Sequence, residues 1–525
     1  MRKLLLTFLE QNRGLVVLLF CLPASLVFSL FLKVIQWIEL HIHGKKSHES
    51  LVRQIQADVV KWSGLESKKL LCTSRKNWLS LSTKFFQKNQ FHQIEIPLFD
   101  ILSIDINNRS VKVEPMVTVD CITKYLIPKG FSLAVHLEIA DATLGGLALG
   151  VGMTTHSHKV GLYQESILSM DVVLADGRLV QATKFNQYSD LFRSLPWSHG
   201  SLGFLVALEL QIIPVKKYVL LDYIPVKGQK KYCDMIREIS GYRNKNKITP
   251  DFLEATVYSK SEAVIMTGHF SDGEDNIEIN RVTKWYKPWF YKHVESFLQK
   301  GRHQELIPLK DYLLRHNRSI FWVVESMIPF GNNCLFRFLF GWLLPPKVAF
   351  LKFSTTSGIR NLSFTRQVFQ DIVLPISKLE EQINICDQLF NLYPLLIYPC
   401  KIFDWGQNNG QIPRPEEKEL CPGTNWAMFN DLGIYGVPGY VKNKLAYNPS
   451  KVMRKIENFT RSIGGYAFLY ADIFMTFEEF CQMFDLTLYE KVRKKYKAEC
   501  AFPHLYDKVK PEINVIDIGN QQIIG

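Results

Sequence analysis

Residues 140–152 read "ADATLGGLALGVG", a short stretch with few charges that contains four glycines. Glycine loses more conformational freedom on folding than any other residue, so four glycines this close indicate that the backbone must stay bare for a reason. One reason is a cradle of backbone N–H groups for a phosphate. The other is close packing of a small-residue helix against a sheet, and this stretch alone favours neither.

Two common phosphate loops fit the stretch poorly. Gly150-x-Gly152 supplies two glycines of the Rossmann motif G-x-G-x-x-G, but Thr155 occupies the third glycine position. An acid follows about twenty residues later, as that motif requires, yet Asp176-Gly177 lies between two strand-like runs and predicts an antiparallel hairpin. A Rossmann unit needs a parallel strand at that point. A Walker A loop would need Gly-Lys-Ser/Thr, which does not occur in the sequence.

Length and composition bound the class of protein. The chain has 525 residues, of which 47% are hydrophobic, so two or three domains are expected. Its 63 Lys and Arg against 50 Asp and Glu give a net charge of +13. This charge suits a membrane surface or a phosphate-bearing ligand, and equally a solvated basic surface. The sequence has no nucleic-acid-binding motif to accompany the charge, so nucleic acid is not expected as a partner.

The ten cysteines are scattered, with no C-x-x-C pair and no histidine at a ligand spacing. This distribution argues against a zinc site and against a secreted disulfide scaffold, so we expect no metal. Buried or reduced thiols of a cytosol-facing protein are the simplest interpretation.

The N-terminal region predicts a membrane anchor. Residues 15–32, "LVVLLFCLPASLVFSLFL", carry no charge over 18 positions, which is long enough for a helix that crosses a bilayer. A cleaved signal peptide is the alternative, but its apolar region is usually about 7–15 residues long and ends at a small-residue cleavage site, which we do not find here. The flanking charges are nearly balanced, so they do not predict an orientation.

The hydrophobic pattern of the remaining chain changes three times. Residues 48–62 place apolar side chains at helical spacing. From about 94 to 213, short alternating runs predict strands separated by turns. The region 216–445 mixes strand-like and aromatic-rich stretches, and 451–515 is again helical, with Thr476 a predicted start of one helix.

The run from 140 to 213 resembles a known family. It contains, in order, a T-x-G-G-x₃-G-x-G segment, a Val-Gly pair, the "VLADG" hairpin and "SDLF" followed by "GSLGF". This order is similar to that of the FAD-binding domain of the vanillyl-alcohol oxidase/p-cresol methylhydroxylase type. The resemblance implies an α+β, two-subdomain FAD-binding fold with a substrate (cap) domain, here preceded by an N-terminal transmembrane helix.

In that family the glycine-rich segment is a turn that lines the FAD pyrophosphate. The resemblance therefore implies a non-covalent FAD, bound by Thr143, Leu144, Gly145, Gly146, Leu147, Ala148, Leu149, Gly150, Val151, Gly152, Met153, Thr154 and Thr155, together with Gly203 and Arg75. Arg75 lies in "CTSRKNW" (72–78), where the family has a first FAD turn with Gly and Pro. This departure leaves open how that turn contacts the cofactor.

Three longer strings, at 284–298, 318–347 and 470–485, are similar to one branch of the family, the Δ24-sterol reductases. The resemblance covers nearly all of the chain after residue 50. It implies a single-pass enzyme of the endoplasmic reticulum membrane, with its catalytic part in the cytosol, that uses FAD and NADPH to saturate the C24–C25 bond of a sterol. The implied organisation is an anchor (1–40), an FAD-binding domain (48–215), a substrate domain (216–450) and a C-terminal helical segment that returns to the FAD domain (451–525).

Reduction of an isolated alkene requires an acid, because no conjugated carbonyl accepts the charge of an incoming hydride. Protonation at C24 places cation character on the more substituted C25, which then takes a hydride. Tyr470 and Asp472 in "LYADIF" are candidate proton donors. Glu325 in "FWVVESMIPF" is a third candidate, since apolar neighbours would raise its pKa.

The string "LFRFLFGWLL" (335–344) is too short to span a bilayer. It predicts either a buried helix or a surface that enters one leaflet and receives the sterol.

Two other functions stay open. One is an FAD-linked oxidase of a sugar lactone or alcohol, although the sequence lacks the His-Trp-x-Lys string of the lactone oxidases and the His-containing turn of covalent flavoproteins. The other is a membrane-anchored homologue that binds FAD or sterol without turnover.

Overall fold

The computed structural model describes residues 12–42, 46–66, 69–84 and 86–510 of the chain. In this part of the chain sixteen strands form three sheets, and helices cover the sheets. The strands are β1 Leu71–Thr73, β2 His92–Ile94, β3 Ile101–Asp105, β4 Ser110–Val113, β5 Phe131–Leu133, β6 Ile167–Val173, β7 Leu179–Thr183, β8 Phe204–Pro214, β9 Tyr218–Lys227, β10 Phe252–Ser259, β11 Glu262–Ser271, β12 His303–Pro308, β13 Val368–Pro375, β14 Leu395–Phe403, β15 Trp426–Gly436 and β16 Tyr466–Ala467.

The sheets differ in size and in direction. Strands β1 and β2 pair in parallel. A six-stranded sheet has the order β3-β4-β8-β6-β7, with β5 also paired to β8. An eight-stranded antiparallel sheet has the order β12-β9-β11-β10-β14-β15-β13-β16. The fold is therefore α+β, as predicted.

Helices of very different lengths connect these strands. In chain order the α-helices are Arg13–Val16, Leu22–Ile42, His48–Ser63, Val119–Leu126, Leu144–Gly150, Ser157–Val160, Ser189–Ser194, Gln229–Ser240, Phe290–Glu295, Phe297–Lys300, Leu309–Leu313, Val323–Met327, Cys334–Phe340, Val348–Phe353, Ser357–Arg366, Leu379–Phe390, Gly439–Lys442, Pro449–Ser462, Phe477–Met483, Thr487–Lys495 and Leu505–Val509.

The N-terminal helix is long and apolar enough to cross a membrane over residues 13–34, and only 11% of it is buried in the protein. A π-helical turn, Val17–Cys21, joins its two α-helical parts. The buried part contacts the body of the protein: the Phe28 ring lies 5.6 Å from that of Phe350 and 5.4 Å from that of Phe353. The predicted apolar helix is confirmed. Residues 1–11 of the predicted anchor, and 511–525 of the C-terminal segment, lie outside the described residues.

Local signals in the sequence are confirmed at three places. The helix predicted over 48–62 is found at His48–Ser63. Asp176-Gly177 does turn the chain between the antiparallel strands β6 and β7, with φ +82° at Gly177. This hairpin excludes the Rossmann alternative, because the strand that follows β6 is not parallel to it. Thr476 begins a helix through a capping box with Glu479.

The glycine-rich segment is a helix where a turn was expected. It forms the helix Leu144–Gly150 and then turns sharply at Val151, which has φ +60°. A Cβ on Gly145 would lie 2.5 Å from Pro115 Cβ, so this glycine is required for packing. A Cβ on Gly150 would meet only the ring of His199, at 3.6 Å. Close packing therefore explains Gly145 but not Gly150, and the phosphate cradle stays a prediction for the rest of the segment.

Candidate functional site

Three cationic side chains, two near residue 80 and one near the C-terminus, form a cluster that adjoins the glycine-rich segment at Lys508. We call Arg75, Lys88 and Lys508 the cation cluster. Lys88 Nζ donates to the backbone oxygen of Arg75 at 2.6 Å, and the charge of Lys88 acts on Lys508. A Cβ placed on Gly200 would lie 3.8 Å from both Lys508 Nζ and Leu149 Cδ1, so Lys508 adjoins the glycine-rich helix. Burial lowers the pKa of both lysines to about 8.

In the part of the chain that the structure describes, the cation cluster has no protein counter-ion. Among the described residues no carboxylate forms an ion pair with any of its three members, and the buried Nε of Arg75 has no hydrogen-bond partner. Partly buried like charges without a counter-ion are costly to the folded protein. Lys508 and its neighbour Lys88, beside the glycine-rich helix, are therefore candidate ligands of an anion.

A strained segment lies opposite this helix. In "PWSHGS" the residues Trp197, His199 and Gly200 all have positive φ angles, of 67°, 50° and 72°. Strain of this kind in non-glycine residues marks functional sites. His199 is partly buried, its Nε2 is shielded from solvent without a hydrogen-bond partner, and burial lowers its pKa to about 3. It is therefore a neutral imidazole that faces Gly150 with a free polar atom.

A band of buried polar side chains crosses the eight-stranded sheet where the glycine-rich segment ends. Arg315 forms a bidentate ion pair with Glu254, at 2.9 and 2.8 Å, and donates to the Tyr398 hydroxyl at 3.2 Å. Thr154 Oγ1 donates to Glu138 at 3.2 Å, and Glu138 lies 3.5 Å from the Arg315 guanidinium. Burial raises the pKa of Glu138 to about 7. The end of the glycine-rich segment thus contacts a closed, charged network.

An acid cluster continues this band. Asp371 on β13 accepts hydrogen bonds from the hydroxyls of Tyr435 and Tyr470, and Asp431 lies directly across from Tyr398 in the ladder of β14 and β15. Burial raises the pKa of both aspartates, and the charge of Asp371 raises that of Asp431 further. The Oδ1 atom of Asp431 has no hydrogen-bond partner. The cluster is thus able to hold a proton near neutral pH.

The three predicted proton donors lie in different surroundings. Tyr470 belongs to the acid cluster through Asp371. Asp472 forms an ion pair with Arg360 at 2.5 Å. Glu325 is 37% exposed and lies 3.3 Å from Lys292 Nζ. The apolar surroundings expected for Glu325 are therefore not found, because its short helix, Val323–Met327, directs this side chain toward solvent and a lysine.

The aromatic string forms the helix Cys334–Phe340 and a short 3₁₀ turn after it. Most of its large apolar side chains are exposed, among them Leu335 (64%), Phe338 (66%) and Trp342 (56%). Of the two interpretations, the structure favours the exposed surface over the buried helix. Lys347, just beyond it, donates its backbone N–H to Ser25 of the apolar N-terminal helix at 2.8 Å.

Sequence reasoning missed most of the residues that complete the site. Lys88, Lys508, His199 and Asp371 carry no motif of their own. A lysine or aspartate is ordinary in any sequence, and only the fold brings these side chains together. His199 had a usable signal, since it precedes the "GSLGF" string that supports the family resemblance.

A comparison with family models places the fold and the site in a class. The model described as "FAD binding domain" matches residues 79–183, which include the glycine-rich segment and the hairpin. Together with the α+β fold, this match defines a protein with an FAD-binding domain.

Similarity over the full length then gives the particular family. Proteins named Delta(24)-sterol reductase are 40% identical to this chain in Homo sapiens and 39% identical in Mus musculus, each over 505 residues, 95% of this chain and 94% of the relative. The Delta(24)-sterol reductase of Pisum sativum is 34% identical over 528 residues, 97% of this chain and 93% of its own length. The chain belongs to the Δ24-sterol reductase family, which confirms the resemblance.

Proposed function

We propose that this protein reduces the C24–C25 double bond of a sterol side chain, with a non-covalently bound FAD and with NADPH as the reductant. The names of its relatives, Delta(24)-sterol reductases, support the substrate and the bond. The observation that carries the proposal within the structure is the cation cluster beside the glycine-rich helix, since it fits the diphosphate of FAD in charge and position.

The residues that would hold FAD form three groups. The segment Thr143–Thr155 would face the pyrophosphate with its backbone, and Arg75, Lys88 and Lys508 would neutralise its charge. Gly203 would act through packing, because a Cβ there would lie 2.6 Å from Val172 Cγ1 on β6. When bound, reduced FAD supplies the hydride.

The acid cluster would supply the proton. Burial raises the pKa of Asp371 and of Asp431, which favours a protonated acid here, and the Tyr470 hydroxyl donates a hydrogen bond to Asp371. We infer that Tyr470 gives its hydroxyl hydrogen to C24 and takes in its place the proton of protonated Asp371, which becomes a carboxylate. The resulting charge at C25 would form beside buried carboxylates, which stabilise a cation and exclude water. Asp472 and Glu325 are less suited to this role, because each forms an ion pair with a cationic side chain.

The apolar N-terminal helix and the exposed aromatic string support a membrane-anchored enzyme. We propose a single-pass protein of the endoplasmic reticulum membrane whose catalytic part faces the cytosol, where its ten free cysteines would stay reduced. The exposed Phe338 and Trp342 would enter the leaflet next to the anchor and receive the sterol. The domain division also remains a proposal: an anchor (1–40), an FAD-binding domain (48–215), a substrate domain (216–450) and a returning C-terminal segment (451–525).

An anaerobic half-reaction experiment tests the function. The enzyme is purified in detergent and its flavin absorbance is followed, first after addition of NADPH and then after addition of a Δ24 sterol. We expect bleaching by NADPH, then re-oxidation by the sterol with formation of the saturated product. Re-oxidation by oxygen alone would instead indicate an oxidase. Absence of any flavin from the purified protein would contradict both enzymatic functions and leave a non-catalytic homologue.

A further inference from the structure

A cleft separate from the cation cluster lies between the chain that follows the glycine-rich segment and the end of β14. Its interior volume is about 70 Å³, and the space counted together with the open solvent at its mouth is about 700 Å³. Residues between 162 and 197 form one wall, and residues between 401 and 414 form the other. None of the three members of the cation cluster lines it.

The cleft has an excess of positive charge. Lys184, Arg193 and Lys401 line it without forming an ion pair to any carboxylate of the described residues. Arg414 also lines it and is held at the rim by a bidentate ion pair with Asp404, at 2.8 and 2.7 Å. Glu165 is the acidic residue of the lining, and it is occupied by a hydrogen bond from an indole.

An aromatic ring, the indole of Trp405, lies next to two of these cations. The indole of Trp405 donates from Nε1 to Glu165 at 3.1 Å, which fixes the plane of the ring. Lys184 Nζ lies 5.1 Å from the ring centroid, and the Arg193 guanidinium lies 5.3 Å from it. A flat base that stacks on the indole would therefore have two cations within reach of its phosphates.

The inner wall of the cleft adjoins the acid cluster. Trp197 lines the cleft and packs edge-to-face on Tyr466, with ring centroids 5.5 Å apart. Tyr466 pairs with Val373 on β13, two residues from Asp371, so this ring links the cleft to the strand that carries the acid cluster. A ligand in the cleft would thus be next to the proposed catalytic face without occupying the FAD site.

We propose that this cleft binds the reductant, a pyridine dinucleotide that carries an additional phosphate on its adenosine. Trp405 would stack on the adenine, and Lys184, Arg193 and Lys401 would contact the phosphates. Three unpaired cations suit the larger negative charge of the phosphorylated dinucleotide better than that of NADH. This inference rests on the proposed function, because it assigns a site to the reductant of that reaction.

The test compares the double variant Lys184→Gln/Arg193→Gln with the wild-type enzyme. Lys231→Gln is the matched control, since this exposed lysine lies on the helix Gln229–Ser240, outside the cleft. Flavin content, anaerobic flavin reduction by NADPH and by NADH, and re-oxidation of the dithionite-reduced flavin by a Δ24 sterol are measured for each. Inhibition by 2′-AMP against NADPH probes the adenosine site directly.

In the double variant we expect the NADPH concentration for half-maximal flavin reduction to rise about tenfold or more, the effect of losing charge-assisted contacts. The NADH concentration should rise less, 2′-AMP inhibition should weaken, and the dithionite-started reaction with sterol should stay unchanged. An unchanged NADPH dependence, with NADPH still bleaching the flavin, would refute the cleft assignment and leave the proposed function intact. A slower dithionite-started reaction would also refute it, since the cleft would then serve the sterol. If neither nucleotide bleaches the wild-type flavin, both proposals fail.

Discussion

Replacing Lys508 by methionine removes one charge from the cation cluster and keeps the length of the side chain. Burial lowers the pKa of this lysine from 10.5 to about 8. One pKa unit corresponds to about 1.4 kcal/mol, so keeping the proton at pH 7 costs the FAD-free folded protein roughly 3 kcal/mol. Below pH 8 the lysine is protonated in both states and the cost is fully present. From pH 8 to 10.5 the folded protein has released a proton that the unfolded chain still binds, so the cost disappears as pH rises.

Lys508→Met should therefore have opposite effects on the empty and the loaded protein. At pH 7 the FAD-depleted variant should be more stable than the FAD-depleted wild type by up to about 3 kcal/mol, and this gain should shrink toward pH 10. Its affinity for FAD should fall about tenfold or more, because a charge-assisted contact to the diphosphate is lost. Denaturant unfolding at pH 7 and 9.5, with and without added FAD, measures both quantities.

Lys494→Met is the matched control, since Lys494 is an exposed lysine on a nearby helix and should change neither quantity. Two results would refute the reasoning. A less stable FAD-depleted Lys508→Met protein would show that the lysine is a structural residue of the C-terminal region. Unchanged FAD affinity would show that the cation cluster is not the diphosphate site.

Further predictions concern the glycines and the acid cluster. Gly145→Ala should lower the free energy of unfolding by about 1–3 kcal/mol, because its Cβ would meet Pro115. Gly150→Ala should leave the free energy of unfolding unchanged but reduce the flavin content, measured by absorbance. If both variants lost the same stability and the same flavin, separate roles for the two glycines would be contradicted. Asp371→Asn should slow sterol-dependent flavin re-oxidation by about 10²–10⁴-fold in stopped flow, with bleaching by NADPH unchanged; loss of both steps would contradict an acid role. In the wild type, the re-oxidation rate should fall as pH rises through the raised pKa of Asp371, because the protonated acid is the active form; a rate that rises with pH would contradict it.

The sequence predicted the elements whose causes are local. The apolar run at 13–34, the hairpin at Asp176-Gly177 and the cap at Thr476 each depend on a few neighbouring residues. The same holds for the string of parts from 140 to 213, which was enough to predict FAD and the fold class.

The residues that complete the site could not be predicted, because they are brought together by contacts between distant parts of the chain. Asp371 and Tyr470 are 99 residues apart and meet only because β16 pairs with β13. The packing role of Gly145 depends on Pro115, which nothing in "ADATLGGLALGVG" indicates. Glu325 is surrounded by apolar residues in sequence, but its short helix turns it toward Lys292.

The C-terminal contacts of the site have a consequence for biosynthesis. Arg493 donates to the backbone oxygen of Ser201, a contact across 292 residues. At about 5–20 residues per second, a ribosome needs roughly 15–60 s to make that span. The glycine-rich helix and the hairpin therefore exist long before their C-terminal partners, while the apolar N-terminal helix is already available to the membrane. The contacts that join the glycine-rich region to the C-terminal segment would therefore form late, after the apolar N-terminal helix has left the ribosome.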